Sequence, residues 1–161
     1  MNYCSKCGTK LIQKQDGIDG LVPYCPSCNE YRYEQFNSAI SSIVFNKNKD
    51  KVLLIQQYNR NDNILIAGYI TKGENAKETL VREIQEEVGL KVLSYKYNDN
   101  EYFEKTNTLI HNYMVVVDSE NYQLTDEVDK ATWFTKEEAL ENIKPNSLAK
   151  HFLEECFNKI A

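Results

Sequence analysis

Apolar positions recur along most of the chain at spacings that predict strands and helices. Strands are expected where apolar or alternating runs are bounded by polar turns. Such runs lie at residues 38–45, 51–57, 91–97, 108–118 and 131–134, and a shorter apolar run lies at 64–66. The run at 108–118 is long, which predicts a central position in a sheet.

Helices are predicted at residues 75–88, 135–142 and 147–160. Leu80, Ile84 and Val88 recur every four residues and give the first helix a buried face. The second helix begins where Thr135 and Glu138 have the spacing of a capping box. Because strands and helices interleave, the sequence predicts an α/β or α+β layered fold.

Composition and charge narrow the class of protein. The chain has 161 residues, of which 42% are hydrophobic and 27% charged, so a buried core is expected rather than disorder. The net charge of −5 excludes a globally basic nucleic-acid surface. No apolar run approaches the roughly 18 residues that span a bilayer, and the first residues do not resemble a signal peptide. We therefore expect a soluble, cytoplasmic protein.

Four of the five cysteines form two Cys-x2-Cys pairs. Cys4 and Cys7 precede Cys25 and Cys28 with 17 residues between the pairs. Each pair can place two thiolates on one metal ion, and together they complete a closed tetrahedral site. In a reducing compartment this spacing favours a structural metal, Zn²⁺ before Fe, over disulfides, with redox-active thiols as the alternative. We expect a zinc ribbon at residues 1–35 and the main domain at 36–161.

An acidic helix contains the candidate chemistry. Glu83, Glu86 and Glu87 are three and four residues apart, so they share an arc of about 100° on the predicted helix. Like charges at this spacing destabilise a helix, whereas a divalent cation reverses the sign of that effect. Oxygen ligands on one rigid face suit Mg²⁺ or Mn²⁺. Taken alone, three glutamates are more typical of a solvated helix face.

The residues around these glutamates follow a longer pattern. It is Gly68-x5-Glu74-x7-Arg82-Glu83-Ile84-Gln85-Glu86-Glu87-Val88-Gly89-Leu90. At ordinary residue frequencies, the chance of this pattern at one starting position is on the order of 10⁻⁹ to 10⁻⁸. It resembles a complete Nudix box. Resemblance to Nudix hydrolases implies an α/β/α sandwich around a mixed β-sheet and metal-dependent hydrolysis of nucleoside diphosphate derivatives.

The same resemblance assigns roles within the box. Its catalytic and metal-ligand positions correspond to Glu83, Glu86 and Glu87. Gly68 corresponds to the residue whose backbone approaches the metal. Glu74 and Arg82 correspond to a structural pair that ties the loop to the helix. The catalytic metal is expected to be Mg²⁺ or Mn²⁺.

A zinc ribbon directly before a Nudix domain resembles the NADH pyrophosphatase (NAD-capped RNA hydrolase) subfamily. Residues 67–74 are similar to its Ala-Gly-Phe-Val-Glu-x-Gly-Glu, and residues 127–134 to its Glu-x5-Trp-Phe/Tyr. The second match makes Glu127 a further metal-ligand and catalytic candidate, and either Glu86 or Glu127 a candidate general base. Tyr33 and Tyr69 match positions that stack on a base across a homodimer, with simple packing as their alternative role.

Residues 98–104 stand where the subfamily carries Ser-Gln-Pro-Trp in a substrate-selecting loop, and Thr71 replaces a glutamate. We expect cleavage of the diphosphate of a nucleotide, with an NAD(H)-like dinucleotide as the first candidate. ADP-ribose, a nucleotide sugar or an RNA 5′ end is the alternative substrate. The alternative of another class is a zinc-ribbon regulator that binds nucleotide or nucleic acid. The expected partner is thus a small nucleotide, with capped RNA as the one nucleic acid and no membrane.

Overall fold

The structure is a computed structural model that describes residues 2–160. The described chain divides into two compact units, and the boundary lies between Phe36 and Asn37. The sequence predicts a boundary one residue earlier. No helix in residues 2–160 combines the length and the apolar character needed to cross a membrane.

The first unit is a small antiparallel sheet. Its strands are β1 (Ile12–Gln15), β2 (Leu21–Cys25) and β3 (Glu30–Tyr31), in the order β1-β2-β3. The buried hydrophobic residues described in this unit are Cys4, Val22, Tyr24 and Cys25. Such a small core contributes little free energy of folding, and small domains of this kind are commonly stabilised by a metal or by disulfides.

The second unit is built on a mixed six-stranded sheet. Its strands are β4 (Asn37–Phe45), β5 (Lys51–Gln56), β6 (Ile66–Tyr69), β7 (Val92–Phe103), β8 (Thr108–Val117) and β9 (Lys130–Thr135). The order is β7-β8-β4-β5-β9, and β6 pairs with β4 beside β5. β4 runs parallel to β8, whereas the other pairs are antiparallel. β8 is therefore an interior strand, but β4 occupies the centre.

Helices cover both faces of this sheet. They are α1 (Ala76–Val88), α2 (Lys136–Asn142) and α3 (Leu148–Ile160). Alternate residues of β4 serve two cores: Ile40 and Val44 pack with α1, and Ile43 and Phe45 pack with α2 and α3. The period-two alternation of a strand puts successive side chains on opposite faces. The expected α/β/α sandwich with a mixed sheet is confirmed.

The expectation of a loop at residues 98–104 is wrong. Residues 98–103 continue β7, and only Glu104–Thr106 forms a short 3-10 turn before β8. Asn98 is buried, and its side-chain amide donates to Asn112 Oδ1 at 2.9 Å and to the Phe152 carbonyl at 3.0 Å. Polar residues of low strand propensity are thus held in the sheet by tertiary hydrogen bonds.

Candidate active site and cysteine cluster

The position of α1 is set by its two ends. The Asn75 side chain accepts from the amides of Lys77 and Glu78 at 3.0 and 3.1 Å, and the Asn75 backbone amide donates to the Glu78 carboxylate at 3.0 Å. Gly89 ends the helix in the left-handed region at φ 65°, which costs glycine little. Helix α1 therefore holds its glutamates in a defined register against β6.

Arg82 on α1 contacts three carboxylates, and one of them, Glu74, belongs to the loop before the helix. Its Nε and Nη2 donate to Glu74 at 2.7 and 2.9 Å, and Thr79 donates to the same carboxylate at 2.9 Å. The Arg82 hydrogen bond lowers the pKa of Glu74 to about 2. Arg82 Nη1 also donates to Glu83 at 2.7 Å and to Glu86 at 3.0 Å. The predicted pair of Glu74 and Arg82 is formed, in bidentate geometry.

Gly68 on β6 lies directly against Glu83 on α1. A Cβ atom added at Gly68 would overlap the carboxylate of Glu83. Any side chain here would displace a buried carboxylate that is already held by Arg82. Glycine is therefore required for a close approach between the strand backbone and this glutamate.

Substitution of Gly68 by alanine is expected to weaken Mn²⁺ binding about ten- to a hundredfold, the usual effect of disturbing the surroundings that orient a candidate ligand. The added methyl group would push the Glu83 carboxylate out of its position. Titration of the variant with Mn²⁺, followed by electron paramagnetic resonance, measures this effect. An Mn²⁺ affinity equal to that of the parent protein would show that Glu83 does not need its observed position.

Glu83 and Glu87 are the buried glutamates of α1, at 9% and 3% exposure. Burial raises the pKa of both, and for Glu87 to about 8. Gln57 Nε2 donates to Glu87 Oε1 at 3.1 Å, but Glu87 Oε2 is buried without a hydrogen-bond partner. A buried carboxylate oxygen without a partner is costly. A cation at this oxygen would satisfy it, so these residues fit a divalent metal site.

The raised pKa of Glu87 has a consequence for stability. Because the unfolded chain ionises this group near its ordinary pKa of 4.5, the group destabilises the metal-free fold increasingly from about pH 4.5 to 8. Metal-free Glu87→Gln is therefore expected to unfold at higher urea concentration than the parent protein at pH 8, with a difference that shrinks towards pH 4. The fluorescence of Trp133, the one tryptophan, reports the unfolding of the second unit. A difference in urea midpoint that did not depend on pH would contradict the raised pKa of Glu87.

A cavity of about 450 Å³ opens beside these carboxylates. Its lining includes the predicted site residues Gly68, Tyr69, Arg82, Glu83, Glu87 and Glu127. Ala39, Gln57, Tyr58, Thr71, Thr106, Thr108 and Ile110 also line it. Most of this second set was not predicted, because its members come from separate strands and from the loops and turn beside them, which meet only through the sheet topology.

Glu74 and Glu86 are the predicted site residues of the second unit that lie outside this cavity lining. Glu86 is exposed on α1, where it accepts from Arg82. Tyr33 belongs to the first unit, and its hydroxyl donates to the Asp16 carboxylate, which raises the pKa of Tyr33 to about 12. The stacking role of Tyr33 and the homodimer stay predictions. Tyr69 is 53% exposed at the cavity.

The four paired cysteines converge. Their Sγ atoms all lie within 4.8 Å of one another, and no other set of three or more acidic, histidine or cysteine side chains in residues 2–160 meets that limit. Both pairs adopt the same turn. The Gly8 and Asn29 amides donate to the Cys4 and Cys25 carbonyls at 2.9 Å, and both donors have positive φ.

The surroundings of the cluster favour thiolate at Cys4 and Cys7, whereas the hydrogen bond with Cys7 and burial raise the pKa of Cys28 to about 12. Although burial raises the pKa of Cys4, Arg32 Nε donates to its sulfur at 3.3 Å and contributes to lowering that pKa to about 6. The Cys28 amide also donates to Cys25 Sγ at 3.3 Å. Four cysteine sulfur atoms this close together fit one metal ion, which binds them as thiolates.

Known proteins resemble both the sequence and the fold. NAD-capped RNA hydrolase NudC of Pseudomonas aeruginosa is 28% identical over 155 residues, covering 94% of this chain and 54% of that protein. The Escherichia coli protein of the same name is 25% identical over 156 residues, covering 95% of this chain and 59% of that protein. The chain thus spans little more than half the length of these curated relatives.

Solved structures share the architecture. The crystal structure of a NUDIX hydrolase from Nitrosomonas europaea superposes with a TM-score of 0.71 at 20% identity, covering 98% of this chain and 93% of that one. A Caenorhabditis elegans Ap4A hydrolase complex superposes with a TM-score of 0.63 at 16% identity, covering 76% and 97%. The sequence model of the NUDIX domain matches residues 35–156. The chain therefore belongs to the NUDIX family.

Proposed function

We propose that this protein is a divalent-metal-dependent pyrophosphohydrolase that cleaves the diphosphate of a nucleoside diphosphate derivative. NAD(H)-like dinucleotides are the first candidate, since the curated relatives are NAD-capped RNA hydrolases. One observation supports the proposal above the others. The buried Glu87 carboxylate, with one oxygen unpartnered, lines the same cavity as Glu83 and Glu127. Carboxylates in such a cavity are suited to hold the metal ions that bind a diphosphate.

Four carboxylates share one role in this proposal, and one of them has a second. Glu83, Glu86, Glu87 and Glu127 are the residues that would hold Mg²⁺ or Mn²⁺. When bound, the metal neutralises phosphate charge and lowers the pKa of a coordinated water. Glu127 is exposed in the cavity lining and is our candidate to accept the proton of the attacking water, whereas Glu86 lies outside that lining and accepts from Arg82. Tyr69 offers an exposed ring on which a base can stack.

We further propose that Cys4, Cys7, Cys25 and Cys28 hold one Zn²⁺ ion, which makes residues 1–35 a zinc ribbon before a Nudix domain at 36–161. Four cysteine sulfur atoms within 4.8 Å of one another are typical of closed, structural zinc sites. Such a site leaves no position open for a substrate, so the zinc would stabilise the fold and take no part in hydrolysis.

Incubation with NADH and Mg²⁺ or Mn²⁺, followed by chromatography of the products, tests the proposed reaction. We expect AMP and reduced nicotinamide mononucleotide in equal amounts, and about 10²–10³-fold slower formation of both with Glu87→Gln. If NADH is not cleaved, the same assay with ADP-ribose, nucleotide sugars and NAD-capped RNA identifies the substrate. Binding of these nucleotides without cleavage of any would favour the alternative of a zinc-ribbon regulator.

A further inference from the structure

The loop that follows β5 has an unusual backbone. Tyr58 and Asn59 adopt φ angles of 58° and 54°, in the left-handed region that residues with a side chain rarely occupy. The Arg60 amide closes a turn onto the Gln57 carbonyl at 3.1 Å. Two consecutive residues in this region persist only where the surroundings hold them, and such positions are concentrated at functional sites.

Asp129 contacts both this loop and the last residue of β5. Its carboxylate accepts from the Asn59 amide at 2.6 Å, and its own amide donates to the Gln56 carbonyl at 2.9 Å. Asp129 lies directly before β9, which pairs with β5, and two residues after Glu127. The loop is thereby fastened to the segment that contributes Glu127 to the cavity.

The restrained loop presents one side chain to the carboxylates. Gln57 Nε2 donates to Glu87 Oε1 at 3.1 Å, in a region where Glu87 is almost fully buried. The amide fixes one carboxylate oxygen and leaves Oε2 without a partner. Because an amide carries no net charge, it orients the carboxylate without neutralising the charge that a cation requires. Hydrogen bonds to a ligating carboxylate commonly orient it in this way.

We propose that Gln57 is a positioning residue that orients Glu87 towards a divalent cation, and that Asp129 keeps Gln57 in place. The inference rests on the proposed function, in which Glu87 is a metal ligand. Gln57 itself does not contact the ion or the substrate. It acts through the Glu87 carboxylate.

The test uses Gln57→Met, which keeps the length of the side chain and removes the donor. Mn²⁺ affinity, measured by electron paramagnetic resonance without substrate, is expected to fall about ten- to a hundredfold, the usual effect of losing such a partner. The matched control is Gln56→Met. Gln56 Nε2 donates to the Asn61 carbonyl and to Asn63 Oδ1 and to no carboxylate, so the affinity should not change.

A double-mutant cycle separates positioning from a general structural effect. In the Glu87→Gln background, Gln57→Met should produce no further loss of Mn²⁺ affinity, because the carboxylate through which it acts is gone. An equal loss in both backgrounds, or no loss in either, would overturn the inference.

Asp129→Ala provides a second route to the same test. Its effect on Mn²⁺ affinity should be absent once Gln57 is methionine, and a fully additive effect would contradict the role of Asp129.

These readouts separate this inference from the proposed function. The parent protein should bind Mn²⁺ whether or not NADH is its substrate, so a failure to cleave NADH leaves the cycle interpretable. Failure of the parent protein to bind Mn²⁺ would overturn the metal-dependent function and this inference with it. Trp133 fluorescence of each variant during urea unfolding shows that the second unit is folded before Mn²⁺ is added.

Discussion

Replacement of Glu87 by glutamine is expected to lower kcat for diphosphate cleavage by about 10²–10³-fold, because a bound metal supplies several kcal/mol to the transition state. The substitution removes one negative charge and one ligand oxygen but keeps the shape of the side chain. Glu87 is buried, and its Oε2 has no hydrogen-bond partner. Steady-state kinetics with product chromatography at saturating Mg²⁺ measures the loss.

Glu154→Gln is the matched control, since Glu154 is an exposed glutamate of α3. It makes the same chemical change away from the cavity, so kcat should equal that of the parent protein. Retention of full activity by Glu87→Gln would remove Glu87 from the metal site. An equal loss of kcat in both variants would show that the change in net charge, and not the loss of a metal ligand, lowers the activity.

Replacement of Cys25 by serine is expected to abolish zinc binding and to unfold the first unit. Structural zinc binding in small domains is worth about 10–16 kcal/mol at neutral pH, and the few buried residues of this unit offer no comparable stabilisation. Cys25 is fully buried among the four converging sulfur atoms. Zinc content by mass spectrometry and limited proteolysis within residues 2–36 measure the two effects.

The second unit has its own buried core, so its Trp133 fluorescence should not change in Cys25→Ser. Cys156→Ala is the control, because Cys156 lies on the buried face of α3 and outside the cluster. It should keep stoichiometric zinc and lower the stability of the second unit. A Cys25→Ser protein with a protease-resistant first unit would contradict a structural metal.

Local spacing predicts much of the site. The limits of α1 follow from Asn75 and Gly89, and the pair of Glu74 and Arg82 follows from the loop and helix between them. The equivalent turns of the cysteine pairs likewise depend on neighbours in sequence. In each case a few consecutive residues determine the geometry, so a pattern in the sequence is sufficient evidence.

Contacts between distant segments could not be predicted in this way. Gln57 meets Glu87 across 30 residues, and Asn59 meets Asp129 across 70, because β5 pairs with β9 and α1 packs on the sheet. Helical spacing placed three glutamates on one arc but did not say which of them face the sheet. Glu83 and Glu87 do, whereas Glu86 faces solvent.

Hydrolysis in water enriched in ¹⁸O tests the central claim most directly. The reaction is run with the substrate that the chromatography identifies, and the products are analysed by mass spectrometry. Attack of water on phosphorus predicts one ¹⁸O atom in the phosphate of a single mononucleotide product, formed only with Mg²⁺ or Mn²⁺ and much more slowly by Glu87→Gln. Products that retain an intact, unlabelled diphosphate, such as those of cleavage at a glycosidic bond, would contradict the account.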